Sequence, residues 1–209
     1  ESPYIPGLKH LGFTGLLLNR LAPDDLWRGN PLQVLSWLAQ DEGRLAEAEA
    51  LLTEALKLYG QKPGSEMQIA AALADLGEVV GLRGRTGEAV AIFEESLAVL
   101  DAYQGQYDRL EARTRLKLAE LLIRQGDSAA ALRLLNQADD HIRGYGHYYD
   151  LLWRIETARA YAYFKQKRWV SALRKLRVAL VYRRRIGLSN VVFAQQLVRR
   201  LLMGAGLPR

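Results

Sequence analysis

The sequence predicts an all-α solenoid of antiparallel helix pairs, about four of them with flanking capping helices, and three observations predict it. A small signature returns four times: Ala48-x3-Leu52-x2-Ala55, Ala89-x3-Phe93-x2-Ser96, Ala131-x3-Leu135-x2-Ala138 and Ala172-x3-Leu176-x2-Ala179. Its first alanines stand 41, 42 and 41 residues apart, a period of stacked supersecondary units rather than of one compact core. Five residues before each alanine is a turn position, filled by Gly43, Gly84, Gly126 and Lys167, and seven residues further back stand Ser36, Gly77, Ala119 and Ala160. Each unit thus reads as helix, tight turn, helix, with glycine supplying the left-handed conformation that ends the first helix. No strand pattern competes. The segment 178–182 has strand propensity, but its place inside a repeat decides for helix.

The elements follow in order. A first helix over 8–21 is stopped by Ala22-Pro23, since the residue before proline disfavours the helical region. Four pairs come next, at 32–41 with 45–58, 66–83 with 86–103, 107–124 with 128–142, and 148–166 with 169–185. Gly60, Pro63-Gly64, Gly105, Gly144 and Gly146 mark the linkers. A last helix, 190–203, has Ser189 as N-cap and an apolar stripe of Val191, Ala194, Leu197, Val198 and Leu201, suited to sealing the stack. The whole chain, 1–209, is read as one solenoid domain: 1–29 an N-terminal cap or degenerate repeat, repeats at 30–63, 64–105, 106–146 and 147–187, and 188–209 a C-terminal cap. Gly7-x3-Leu11-x2-Thr14, 41 residues before the first signature, is a worn copy of it. With Glu1 in place of an initiator methionine, this favours a fragment of a longer protein.

Within a pair the small residues have a mechanical role. Where two helices cross closely only Gly, Ala or Ser lets the backbones approach, while Leu52, Phe93, Leu135 and Leu176 fill the gap beyond. The second unit, Leu73-x2-Leu76-Gly77-x2-Val80 followed by Ala89-x3-Phe93, resembles the tetratricopeptide repeat family. The other units follow the pattern more loosely, and the usual unit of about 34 residues is lengthened here. Seven extra residues are close to two turns and rotate the apolar stripe by only about 20°, so the packing face is kept. Such long units resemble those of kinesin light chains and of the helical sensor arms of bacterial transcription activators, over roughly 32–185. The resemblance implies a right-handed superhelix whose first helices line a concave groove.

Composition sets outer bounds. The 209 residues are 49% apolar with no cysteine, enough to build a core and incompatible with disulfides or thiolate metal sites. The apolar run 11–18 is too short to cross a bilayer, and a cytoplasmic location with no membrane contact is expected. The net charge of +6 hides a gradient. Residues 143–209 hold fifteen Lys or Arg against Asp150 and Glu156, net +13, while 1–142 hold fourteen against twenty-one acids, net −7. That asymmetry points to an acidic partner, nucleic acid included, or to head-to-tail contact between copies.

The resemblance places the groove positions, stepping from each small packing residue, at Asn30, Gln33, Trp37, Gln40 and Asp41; at Ala71, Ala74, Glu78, Gly81 and Leu82; at Arg113, Leu116, Glu120, Ile123 and Arg124; and at Arg154, Thr157, Tyr161, Phe164 and Lys165. The candidate ligand-binding residues are Arg113, Glu120, Arg124, Arg154, Tyr161 and Lys165. Guanidinium forks there suit carboxylates or phosphates, and aromatic faces beside cations suit a peptide with acidic and apolar residues. The paired lysine and asparagine device by which the family grips a C-terminal carboxylate is not matched, because Gln33, Trp37, Leu116 and Thr157 stand where several of its positions fall. The tyrosines of Gly144-Tyr145-Gly146-His147-Tyr148-Tyr149 form either a lip over the groove or a cover for the apolar edge between the third and fourth units. Arg183-Arg184-Arg185 ends a helix, where cations complement the dipole.

Catalysis finds little support. His10, His141 and His147 are scattered without partners at metal-ligand spacing, and no phosphate-cradling glycine motif follows a strand. No cofactor and no metal is expected. The reading is a non-catalytic scaffold that binds a protein or peptide, acidic ones included, in its concave groove, as the sensor or interaction arm of a larger bacterial regulator. The alternatives are nucleic-acid association through the basic C-terminal third and a self-associating scaffold.

Overall fold

A computed structural model describes residues 29–103, 106–144 and 148–185. These form eight helices: α1 Gly29–Asp41, α2 Leu45–Tyr59, α3 Glu66–Leu82, α4 Thr86–Asp101, α5 Asp108–Gln125, α6 Ser128–Arg143, α7 Tyr149–Lys165 and α8 Trp169–Arg185. No strand occurs among the described residues. The protein is an all-α helical repeat. The expected helices at 8–21 and 190–203 lie outside the described residues.

The turns explain why each pair closes the same way. Gly43, Gly84 and Gly126 have φ of 79°, 84° and 98°, and Lys167 takes the same left-handed conformation at 60°. At each, two hydrogen bonds close the helix end. Arg44 N–H donates to Ala39 O at 2.8 Å and Gly43 N–H to Gln40 O at 3.0 Å, and the pattern recurs from Arg85 to Val80, Asp127 to Leu122 and Arg168 to Tyr163. This is the Schellman closure, which satisfies carbonyls that the helix leaves without partners. At the third turn, Asp127 also caps α6 by accepting from Ala130 N–H at 2.9 Å.

The signature residues are the packing residues. Ala48, Ala89, Ala131 and Ala172 are buried, as are Ala55, Ser96, Ala138 and Ala179, and Ser36, Gly77, Ala119 and Ala160 across from them. Leu52, Phe93 and Leu135 are fully buried, whereas Leu176 is half-buried. A Cβ added to Gly77 would stand 3.1 Å from the Phe93 ring, so that glycine is required by close approach. Ser96 keeps its hydroxyl in the core by donating to Ala70 O at 2.8 Å.

The helices fall into two compact units dividing between Tyr107 and Asp108. In the first, α1 packs on α2, α2 on α3 and α3 on α4. Its core gathers Leu32, Ala55, Tyr59 and Ala72, and separately Ala39, Ala48, Leu52 and Val79. In the second, α5 packs on α6, α6 on α7, α7 on α8, and the two first helices α5 and α7 touch each other. Leu116, Ile123, Leu135, Ile142 and Ile155 centre its core.

Candidate protein-binding surface on the second unit

The six candidate residues are three repeat-equivalent positions seen twice. Arg113 and Arg154, Glu120 and Tyr161, and Arg124 and Lys165 are each one 41-residue period apart, on α5 and α7. Arg124 and Lys165 are exposed and the other four half-buried. An ion pair between two of the candidates ties the two helices, Arg154 to Glu120 at 4.0 Å. Lys165 Nζ lies 5.5 Å from the centre of the Tyr161 ring, a cation–π contact that orients the ammonium. At the other end of α7, Arg109 of α5 donates to Asp150 at 2.6 Å and stands 5.7 Å over the Tyr148 ring. Phe164 is exposed, edge-on to Trp169 at 4.8 Å. The six candidates thus comprise four cations, one carboxylate and one tyrosine.

Several expected groove positions are buried. Gln33, Ala74, Leu116, Ile123 and Thr157 belong to the interior, because contact between neighbouring helices covers that edge of each first helix. In the first unit Gln33 Nε2 donates to Asp75 Oδ2 at 2.6 Å and Trp37 Nε1 donates to the same oxygen at 2.8 Å. The Tyr59 hydroxyl donates to Gln33 Oε1 at 3.4 Å. Burial, and then the Asp75 charge, push the Tyr59 phenol up to about 12. Thr157 spends its hydroxyl on Trp153 O at 2.7 Å.

The arginine run does not act as one patch. Arg183 is buried, Arg184 exposed, and Arg185 donates to the Tyr149 hydroxyl at 2.8 Å. Tyr148 and Tyr149 pack on the core of the second unit, and Tyr149 stacks on Tyr182. These two cover an apolar edge. The rest of that segment, 145–147, lies outside the described residues.

Sequence reasoning missed two polar clusters. His141 is not isolated: its Nε2 is 3.3 Å from Glu111 Oε1 and its Nδ1 3.6 Å from Asp108 Oδ1. Antiparallel packing of α5 and α6 brings a helix start against a helix end, which no spacing along the chain reveals. One oxygen of each carboxylate and one imidazole nitrogen lie within 4.8 Å of one another, a possible divalent-cation donor set. Arg115 also holds the Glu111 carboxylate, so a positive charge is already in place.

The second cluster is a buried ionic network. Arg159, 5% exposed, donates to Asp139 Oδ2 at 2.8 Å, to Asn136 Oδ1 at 2.8 Å, to Leu135 O at 3.1 Å and to Glu156. Lys175 of α8 reaches Glu156 at 3.1 Å and Arg143 holds Asp139 from the other side. Burial would raise the Asp139 carboxyl, but hydrogen bonds from Arg143 and Arg159 outweigh it and hold it below its ordinary value. A signal for this network exists in the repeat alignment. Arg159 stands where the other units have Leu35, Leu76 and Leu118, and Asp139 where they have Leu56, Leu97 and Leu180. A charge pair has replaced two repeat leucines at the junction of α6 with α7.

Tetratricopeptide repeat family models match residues 68–138 and 34–54. A stretch of 88 residues is 40% identical to the Regulatory protein AfsR of Streptomyces griseus, covering 41% of this chain and 9% of that protein's length. Among solved structures, BtubC (BKLC) from P. vanneervenii superposes with a TM-score of 0.71 at 18% identity, covering 99% of this chain and 85% of that one. A Podosopora anserina kinesin light chain protein with nearly identical TPR-like repeats gives 0.59 at 17%, covering 87% and 86%. At these identities the two structures share the fold. No described helix is long and apolar enough to cross a membrane.

Proposed function

Since the chain carries tetratricopeptide repeats, we propose that it is a non-catalytic protein-binding scaffold whose second unit grips an acidic segment along α5 and α7. The observation that carries this reading is the doubled triad of positions on α5 and α7, which supplies Arg113, Arg124, Arg154 and Lys165 together with Glu120 and Tyr161, Lys165 lying over the Tyr161 ring. Arginine forks take carboxylates bidentately, and a tyrosine face adds apolar area at low entropic cost. The match to AfsR supports placing such a scaffold as an interaction arm of a larger bacterial regulator.

The test is to pan a random peptide library on the full chain and measure the recovered peptides by fluorescence anisotropy. Recovered peptides should carry carboxylates beside a large apolar residue, and Arg154→Glu should weaken them at least about tenfold, the size of one lost charge pair. Arg184→Glu should leave them unchanged. Recovery without acidic bias, or unchanged binding by Arg154→Glu, overturns the reading. Should Arg184→Glu instead abolish salt-sensitive retention of a DNA duplex, the basic third is a nucleic-acid surface.

A further inference from the structure

α8 exposes two leucines, Leu173 and Leu180, at positions that the other second helices keep half-buried or buried. Val170 is 73% and Leu173 67% exposed, with Leu180 and Val181 beside them. The repeat equivalents of Leu180, which are Leu56, Leu97 and Asp139, are half-buried or buried. The equivalent of Arg177 is Asn136, which accepts from Arg159 of the following helix pair. The α8 face therefore has the character of a stacking face, ringed by Arg174, Arg177 and Arg184.

The first unit carries a surface of opposite character. On α4, Glu88, Ala91, Glu95 and Ala98 are all exposed and lie along one stripe. The two stripes come into register to within one residue when the helices run antiparallel. Glu88 then meets Arg184, Ala91 meets Leu180, Glu95 meets Arg177 and Ala98 meets Leu173, since both acid–base and both alanine–leucine positions repeat every seven residues. The alanines let the backbones approach while the leucines fill the space above them. Glu88 already pairs with Arg85 at 3.2 Å, so Glu95 with Arg177 is the pair that bears the test.

We propose that α8 of one copy docks antiparallel on α4 of a second copy. The charge gradient of the chain, −7 over 1–142 and +13 over 143–209, favours this head-to-tail pairing over a symmetric one, which would set like charges together. Two different surfaces meet, so the contact propagates into a chain or closes into a ring. It strengthens with protein concentration and weakens with salt.

Sedimentation velocity on the full chain tests it, with helix content checked by circular dichroism. The unaltered chain should form species larger than a monomer at low salt. Arg177→Glu and Glu95→Arg should each weaken association about tenfold or more. A chain carrying both substitutions should recover it, because the reversed charges again meet each other. Three results overturn the proposal: a monomer at every concentration, a double variant as weak as the singles, or association that survives Leu173→Glu. If the chain is monomeric and Arg177→Glu loses retention of a single-stranded oligonucleotide, the α8 face serves nucleic acid instead.

Discussion

At the residue scale, the turn at Lys167 isolates a cost that the other three turns avoid. A side chain in the left-handed region crowds its own backbone, which glycine escapes. Lys167→Gly is expected to stabilise the protein by about 1 kcal/mol, and Gly84→Ala to destabilise it by a similar amount. Chemical denaturation read by circular dichroism checks both, and a Lys167→Gly variant that unfolds at lower denaturant contradicts the account. Gly77 is limited by space rather than torsion, since the Phe93 ring stands against it. Gly77→Leu should cost on the order of 2 to 4 kcal/mol by overpacking, while Gln61→Leu, on the exposed linker, should be nearly neutral. Equal melting temperatures for these two variants would contradict the repeat frame.

At the element scale, the junction of α6 with α7 is held by charge at two positions where the other units carry leucine. Removing Arg159 leaves buried Asp139 to Arg143 and buried Glu156 to Lys175, so Arg159→Leu alone should destabilise by about 1 to 3 kcal/mol. Arg159→Leu combined with Asp139→Leu gives both positions the leucine that the other units carry and should be neutral or stabilising by about 1 to 4 kcal/mol, with Lys175 still on Glu156. Thermal melts of the single and double variants decide this, and a double variant no better than the single refutes the replacement of leucines by an ion pair. The same network sets an acid response. Because the folded Asp139 carboxyl is held below its ordinary 3.8, its contribution is fully present above that value and is lost as pH falls through the lower folded one. Melting temperature measured downward from pH 5 should fall less steeply in the double variant than in the unaltered chain.

At the scale of the whole molecule, the repeat period, the turn positions and the packing residues were legible in the sequence, and the eight described helices match the expected ones to within three residues at either end. Those features are local or recur, so one unit teaches the next. The exposed or half-buried placement of Arg113, Glu120, Arg124, Arg154, Tyr161 and Lys165 on α5 and α7 follows the same logic, being one set of positions repeated. Gln33, Ala74, Leu116, Ile123 and Thr157 were misplaced on the surface, because a helical period fixes which residues share a face and not how far a neighbouring helix covers its edge. By itself the sequence determined an all-α chain of paired helices, with the glycines and alanines where backbones meet and the charge unevenly spread. Only the tertiary structure decided that Arg159 is buried among Asp139, Glu156 and Asn136, that His141 faces Asp108 and Glu111, and that Lys165 lies over Tyr161. Side-chain chemistry of this kind depends on which residues of different helices arrive within hydrogen-bonding range, a distance that close packing sets and that periodicity along one helix does not contain.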